Sequence, residues 1–267
     1  MPRRTSRVAP VRIATWNVNS IGARLPRVLE WLESASPDLL AIQELKCTTA
    51  AFPAAEIEAL GYHVDAHGNG RWNGVALISK EPLADVKRDL NGQPEYEGSV
   101  ETRAIGGTLR GVRIWNVYVP NGREPGHDHF QYKLEWLAAL KATVTSEVGA
   151  GPFAIVGDFN VAPNDDDVWD ISLFADSTHV TPAERSALAD VQSLGLTDVM
   201  PRSLKGSPFT FWDYRNGAFH RGWGMRIDLV LANADFVSRI EDIWIDRDAR
   251  KGKGASDHTP VVVELAE

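Results

Sequence analysis

The segment AIVGDFNVAPN, residues 154–164, constrains the fold more than any other stretch of the chain. An apolar run passes through a glycine into Asp158, Phe159 and Asn160. Side chains of an extended chain alternate between faces, so Asp158 and Asn160 are expected on one face and Phe159 on the other. A buried carboxylate is costly unless something pairs with it. A strand that ends this way finishes either in a turn or in a site. The pattern recurs along the chain. RIATWNVN (12–19) carries Asn17 and Asn19, LLAIQE (39–44) ends on Glu44, and VRIWNVYVP (112–120) carries Tyr118 just ahead of Asn121. MRIDLVLAN (225–233) holds Asp228, and Ser256-Asp257-His258 stands before the last strand-like run, TPVVVEL (259–265). GVALIS (74–79) reads as one more strand.

Helix-like segments alternate with these strands, which favours an α/β chain. Leu25, Val28, Leu29 and Leu32 follow i, i+3, i+4, i+7 spacing. Residues 133–148 read as a second helix, with Leu137, Leu140, Val144 and Val148 on one side. Thr181-Pro182-Ala183-Glu184 is a capping box with proline at the first helical position. TWNVN and GDFNV resemble each other, which suggests two packed β/α halves sharing one cleft. The composition, 43% hydrophobic over 267 residues, allows a large core in one domain or two. No apolar run approaches the roughly 20 residues that cross a bilayer. The basic start MPRRTSRVAPVR lacks the apolar stretch of a secretory signal and reads as a frayed tail. Cys47 is the one cysteine and reads as a small packed residue; no internal disulfide is possible, which favours a reducing compartment. A formal charge of −8 argues against a non-specific nucleic-acid coat. It leaves room for an enzyme that touches DNA through a local basic surface.

Taken singly, each polar strand end has a structural explanation, because Asn and Asp end strands and start turns routinely. Their joint occurrence points to chemistry, since acids, amides and a histidine would gather at one edge. The Cys/His pairs of a zinc site are missing. Oxygen ligands from Glu44, Asp158 and Asp257 would suit a hard cation, Mg²⁺ or Mn²⁺. There is no G-x-S-x-G elbow, and the adjacent residues of Ser256-Asp257-His258 cannot form a triad among themselves. No GxxxxGK[ST] loop occurs. What remains is metal-assisted hydrolysis, with a phosphate ester as the expected substrate.

ATWNVNSI, AIQELK, WNGVALIS, VYVPNG, GDFN, MRIDLVL and SDHTPV occur here in the order seen in the endonuclease/exonuclease/phosphatase superfamily. The chain resembles its exonuclease III and abasic-site endonuclease branch, to which VYVPNGR, FTFWDYR and GMRIDLVL point. The resemblance implies a four-layer α/β sandwich, two mixed sheets packed face to face with helices outside. It implies one domain over residues 12–267 behind a flexible tail, residues 1–11, in a monomer of the bacterial cytoplasm. It also implies Mg²⁺-dependent cleavage 5′ to abasic sites in double-stranded DNA, with 3′→5′ exonuclease and 3′-phosphatase activities on blocked 3′ ends. Mn²⁺ is a possible substitute, and one ion or two remains open. Leu45 departs from the pattern, where relatives carry threonine.

Carried over residue by residue, Glu44 matches the main metal ligand, joined by Asn17 and Asp257. Asp158 matches the residue that orients or deprotonates the attacking water, and in some schemes it binds a second metal with Asn160. Asn160 would fix Asp158 and the phosphate. His258 matches the histidine on a phosphate oxygen, Asp228 its carboxylate partner, and Tyr118 a group near the leaving oxygen. Asn19, Asn121 and Arg123 are expected on phosphate or water. Phe211, Trp212, Met225 and Ile227 match a small apolar pocket for a baseless sugar. Arg71, Arg215 and Arg221 are further candidates for phosphate contacts. His127-Asp128-His129 is expected to be a hydrated loop, and Asp165-Asp166-Asp167 a solvated turn or helix start. The rival readings are a lipid phosphoesterase on the same core and a non-catalytic DNA-binding protein.

Overall fold

The protein is described by a computed structural model covering residues 10–70 and 72–266. Residues 1–9 of the expected tail, and Arg71, lie outside the described residues. Within them, the strands in chain order are β1 (Val11–Asn17), β2 (Leu39–Gln43), β3 (His63–His67), β4 (Val75–Ser79), β5 (Ala84–Arg88), β6 (Ala104–Leu109) and β7 (Val112–Tyr118). They continue as β8 (Phe153–Asp158), β9 (Thr197–Asp198), β10 (Arg202–Ser203), β11 (Asp228–Ala232), β12 (Ile240–Ile245) and β13 (Val261–Leu265). The α-helices are α1 (Ile21–Ala35), α2 (Ala54–Glu58), α3 (Asp128–Val144), α4 (Pro182–Gln192), α5 (Ala218–Arg221) and α6 (Ala234–Val237). Val11, expected in the tail, is a buried strand residue.

One sheet runs β10-β12-β13-β1-β2-β4-β3 and the other β5-β6-β7-β8-β11-β9. Both are mixed: β1 and β2 are parallel, as are β7 and β8, whereas β13 runs antiparallel to β1 and β11 antiparallel to β8. Side-chain alternation produces the layers. Ile13, Leu39 and Ala41 of one sheet meet Ile114, Ala154 and Val156 of the other in the central core. The opposite face of the first sheet, including Trp16, Leu40 and Ile42, packs under Val28 and Leu32 of α1. The opposite face of the second, including Trp115 and Ile155, packs under Trp136 and Leu140 of α3 and Leu188 of α4. This is the expected four-layer sandwich. Strands covered on both faces explain why LLAI and AIV read as unbroken apolar runs.

Local signals placed the helices unevenly. The α4 start is as expected: the Thr181 hydroxyl accepts from Glu184 N, and the Glu184 carboxylate accepts from Thr181 N. Helix α3 starts five residues before its expected boundary, because the His127 ring caps it by accepting from His129 N and Asp128 occupies the first turn. His127-Asp128-His129 is therefore a helix start and not a hydrated loop, with His129 buried. Cys47 is half-buried against the α1 side of the core.

Asp165–Asp167 forms a 3-10 turn, but Asp167 is buried rather than solvated. It pairs with the fully buried Arg226 guanidinium at 2.6 Å, and Asp198 takes the other edge at 2.8 Å. The chain thus passes from a clamped residue through Ile227 into β11 at Asp228. Removing one partner of a buried ionic group typically costs about 3–5 kcal/mol. Arg226→Ala is expected to lower the thermal midpoint by roughly 10 °C, at about 2–4 °C per kcal/mol for a chain of this size. Circular-dichroism melting checks this, and an unchanged midpoint would show that the clamp carries no stability.

Candidate active site

The two sheets bring the polar strand ends to one edge. Parallel pairing sets Tyr118 beside Asp158, and antiparallel pairing sets Asp228 on the other side of Asp158. Asp228 is thus at the start of its strand, not the end. It reaches the shared edge because β11 runs opposite to β8. Gly157 precedes Asp158 with φ 141°, and a Cβ there would lie 2.0 Å from the Val117 carbonyl oxygen. Only glycine permits this approach of β8 to β7.

Asp158 is 2% exposed. Its Oδ2 accepts from Asn17 Nδ2 at 2.9 Å, and its Oδ1 from the Asn160 backbone N–H at 2.9 Å. Strand alternation does not bring Asp158 and Asn160 together, since β8 ends at Asp158 and Asn160 adopts φ 50°. The link is a turn in which the carboxylate captures a backbone N–H two residues on. The Asn160 side chain points back toward β7, donating to Val119 O at 3.0 Å and accepting from Asn121 Nδ2 at 3.2 Å. Phe159 is buried in the core under α3, on the side opposite the carboxylate.

His258 stands between two carboxylates. Its Nδ1 lies 2.8 Å from Asp228 Oδ2, and its Nε2 3.8 Å from Asp158 Oδ2. The Thr210 hydroxyl orients the partner strand by accepting from Ile227 N and Asp228 N. Burial opposes a charge on His258, yet Asp228 and Asp158 outweigh it and lift the imidazole pKa to about 10. Burial raises the Asp158 pKa to about 7; the His258 cation pulls it down and the Asp228 charge pushes it further up. Near neutral pH the ring is therefore an imidazolium, and Asp158 is poised to accept a proton. Burial, with the Glu44 carboxylate next, raises the Tyr118 pKa well above its ordinary value, so the phenol keeps its proton. The buried Arg103 guanidinium lies 4.7 Å from the Tyr118 ring and donates to its carbonyl at 3.2 Å.

A second group of oxygens lies at the ends of β1 and β2. Lys46 Nζ is 2.9 Å from Glu44 Oε1 and 2.6 Å from Asn19 Oδ1, while Asn19 Nδ2 donates to Asp257 Oδ1 at 3.0 Å. Asn17 Oδ1 accepts from Asn19 N. Asn19, Glu44 and Lys46 all adopt left-handed backbone, with φ 45°, 62° and 54°. Such backbone is uncommon for non-glycine residues and persists only where the surroundings hold it. Separately, Asp158, Asp228 and His258 bring ligand atoms within 4.8 Å of one another, a cluster that could hold a metal ion.

Of the expected pocket residues, Phe211 and Met225 line a cavity of about 220 Å³ together with Trp169, Phe174 and Trp223. The Phe211 ring lies 4.9 Å from His258. Trp212 and Ile227 are buried behind it, 1% and 2% exposed, and support the wall without lining it. Arg123 is exposed, over the Tyr96 ring, with its N–H on Asn121 Oδ1. Arg215 is tied to Asp213 at 2.6 Å, and Arg221 lies over Trp223. Sequence reasoning missed Lys46, Arg103, Thr210 and the Trp169–Trp223 stack. Only the tryptophans, two large aromatics in polar segments, left a signal there.

Residues 14–258 match the Endonuclease/Exonuclease/phosphatase family. The chain belongs to that family. It is 29% identical over 272 residues to exodeoxyribonuclease III of Haemophilus influenzae, covering 96% of this chain and all of that protein. Its fold matches the 3′ phosphatase NExo from Neisseria, solved with a product DNA hairpin, with TM-score 0.90 and 36% identity over 96% and 99% of the two chains. An AP endonuclease from Archaeoglobus fulgidus superposes with TM-score 0.89 and 35% identity, over 96% of this chain and 100% of that one. This chain is a hydrolytic nuclease of the exonuclease III and AP endonuclease branch.

Replacing Asp228 with Asn removes the leading attraction on the imidazolium and the charge that disfavours ionised Asp158. In metal-free protein both pKa values should fall, that of His258 from about 10 and that of Asp158 from about 7. The stability contributed by the charged ring is complete below about pH 6.5. It disappears as pH rises through about 10. An NMR titration of the His258 ring in both proteins checks this, and an unmoved midpoint would remove Asp228 from the electrostatics of the site.

Proposed function

We propose that this nuclease is a Mg²⁺-dependent DNA-repair enzyme that cleaves double-stranded DNA 5′ to abasic sites and clears blocked 3′ ends. The observation that carries the reading is the buried Asp158 carboxylate, aimed by Asn17 and Asn160 and facing the His258 imidazolium at 3.8 Å. That separation is too long for a hydrogen bond, so the His258 Nε2–H is available to a phosphate oxygen. Asp158 takes the proton of the attacking water, and the cationic ring offsets the charge that builds on the phosphate. Tyr118, protonated at neutral pH, can give a hydrogen bond to the leaving oxygen. In this reading Asn19, Asn121 and Arg123 hold flanking phosphates or water.

Oxygens of Glu44 and Asn19 contact the Lys46 ammonium, and the Asp257 carboxylate joins them through Asn19 Nδ2, an oxygen-rich set already arranged about a positive charge. That set fits a hard divalent cation better than the Asp158–His258 cluster, because an imidazolium has no lone pair to donate. Glu44, with Asn17 and Asp257, would hold Mg²⁺, or Mn²⁺ in its place. When bound, the ion supplies charge neutralisation at the scissile phosphate. Glu44→Ala should raise the Mg²⁺ needed for half-maximal turnover by more than about tenfold while DNA binding persists. Incision of an abasic duplex with and without EDTA gives the companion measurement. Activity that survives EDTA would exclude the metal-dependent reading.

The cavity beside His258 supports the abasic-site preference. Flipping a sugar out of the duplex costs a few kcal/mol, less where no base is stacked or paired. Phe211 and Met225 offer an apolar wall to such a sugar, and methionine adapts its shape easily. The 3′ phosphatase and AP endonuclease relatives agree equally well with the fold, so a blocked 3′ end is the second substrate class. Phe211→Ala should reduce kcat/KM on an abasic duplex at least about tenfold more than on a 3′-phosphate duplex, in line with the discrimination of apolar pockets. Equal losses on both would mean that Phe211 only packs. No helix among the described residues is long and apolar enough to cross a membrane. The reading is completed by a monomer working in the cytoplasm.

A further inference from the structure

Behind the site, outside the groups so far given a chemical role, lies an ion pair that is entirely buried. Lys133 of α3 and Glu184 of α4 are both 0% exposed and in direct hydrogen-bonded contact. An apolar pair of the same volume is often as stable as a buried ion pair, or more so. Stability alone therefore does not account for it, and the directions of its hydrogen bonds matter. Besides Glu184, the ammonium donates to the Asn160 carbonyl at 2.6 Å and to the Asn121 carbonyl at 3.2 Å. All three of its N–H bonds are used. Glu184 in turn accepts from Thr178 Oγ1 at 2.6 Å and from His179 N at 2.9 Å through one oxygen, and from the Thr181 hydroxyl through the other. The Thr178 hydroxyl also lies 3.0 Å from the Asn121 carbonyl, and the His179 ring 2.6 Å from the Asn160 carbonyl.

We infer that Lys133 is a positioning residue for the hydrolysis, fixing the turns after β7 and β8 from behind so that Asp158 and Asn121 face the phosphate in one geometry. The inference rests on the nuclease reading above. The Asn160 peptide is the link. Its N–H holds the Asp158 carboxylate, its carbonyl is held by Lys133, and its φ of 50° is a conformation that needs external support. A neutral side chain of similar length fills the same space but offers the two carbonyls no donor. Without the ammonium, the His179 ring alone remains on the Asn160 carbonyl, and the peptide gains freedom to rotate toward right-handed backbone and carry the N–H away from Asp158. Glu184 balances the charge that this arrangement buries.

The test separates packing from positioning. Lys133→Met alone leaves Glu184 as an unpaired buried acid and should lower the thermal midpoint. Lys133→Met with Glu184→Gln removes both charges at nearly constant volume and should restore the midpoint to within about 3 °C. In that double variant kcat should still be about 10- to 100-fold below that of the unaltered enzyme. KM should change by a smaller factor than kcat, because no group that touches DNA has been removed and the Thr178 hydroxyl still lies against the Asn121 carbonyl. Recovery of kcat together with the midpoint would overturn the inference and leave Lys133 a structural residue. Turnover of abasic and 3′-phosphate duplexes by the unaltered enzyme tests the nuclease reading separately. A further measurement needs neither a folded variant nor turnover. Amide hydrogen exchange followed by NMR on the unaltered protein should show Asn160 N–H protected as long as the interior amides of β8. Exchange at the rate of an exposed loop would also overturn the inference, since a turn held from both sides does not open freely.

Discussion

The bond from Asn17 Nδ2 to Asp158 Oδ2 joins the ends of two strands that belong to different sheets. Both side chains are buried, 0% and 2% exposed, so neither can exchange its partner for water. An ionised carboxylate in that position needs every donor it can find. The two sheets must therefore lie in a relative position that keeps β1 and β8 in register at this edge. Deeper between the sheets, Asn116 repeats the device. Its amide donates to the Ile42 and Ala76 carbonyls across the gap, and Gln43 donates to its oxygen at 2.7 Å. Polar groups that can be satisfied in only one arrangement give the apolar interface a single register, which apolar packing alone does not specify.

From that constraint the site acquires its electrical character. Asp158 and Asp228 are set side by side by strand pairing, and His258 from the segment before β13 lies against both. Two buried acids and one base share charge, so the base holds its proton and one acid ionises near neutrality. Burial and the charges of the neighbouring groups set each value together. A carboxylate tuned by its neighbours in this way can act as a base without a separate activating residue.

The loops that leave the strands are held less by their own preferences than by what they touch. Asn19, Glu44, Lys46, Arg123 and Asn160 all have positive φ, although none is glycine. Each such residue costs of order 1–3 kcal/mol unless its surroundings hold it. Here the holding groups are Lys46 on Glu44 and Asn19, and the Lys133–Glu184 pair under Asn160. On such turns Glu44 and Asn19 meet at Lys46, while the Asn160 backbone N–H turns toward Asp158 and its side chain back toward β7.

The sequence by itself determined the layered α/β class, the apolar strands and the α4 start, because those depend on neighbours within a few residues. Unbroken apolar runs require cover on both faces, and Thr181 with Glu184 closes its own capping box. The residue types of the site were also legible, since Asp158, Asn160, Asp228 and His258 stand out at apolar strand ends. What only the tertiary structure decided is how they meet. Asp228 reaches Asp158 because β11 runs antiparallel to β8, and Asn160 reaches it through a left-handed turn. Neither strand direction nor turn hand is written in the local pattern. The same holds for the division of the pocket residues, where Phe211 and Met225 line the cavity while Trp212 and Ile227 support it from behind. It holds too for Lys133, expected only as the start of a helix, and for Asp167, expected in a solvated turn or helix start. Both are buried, because the partners that satisfy them arrive from segments 51 and 59 residues away.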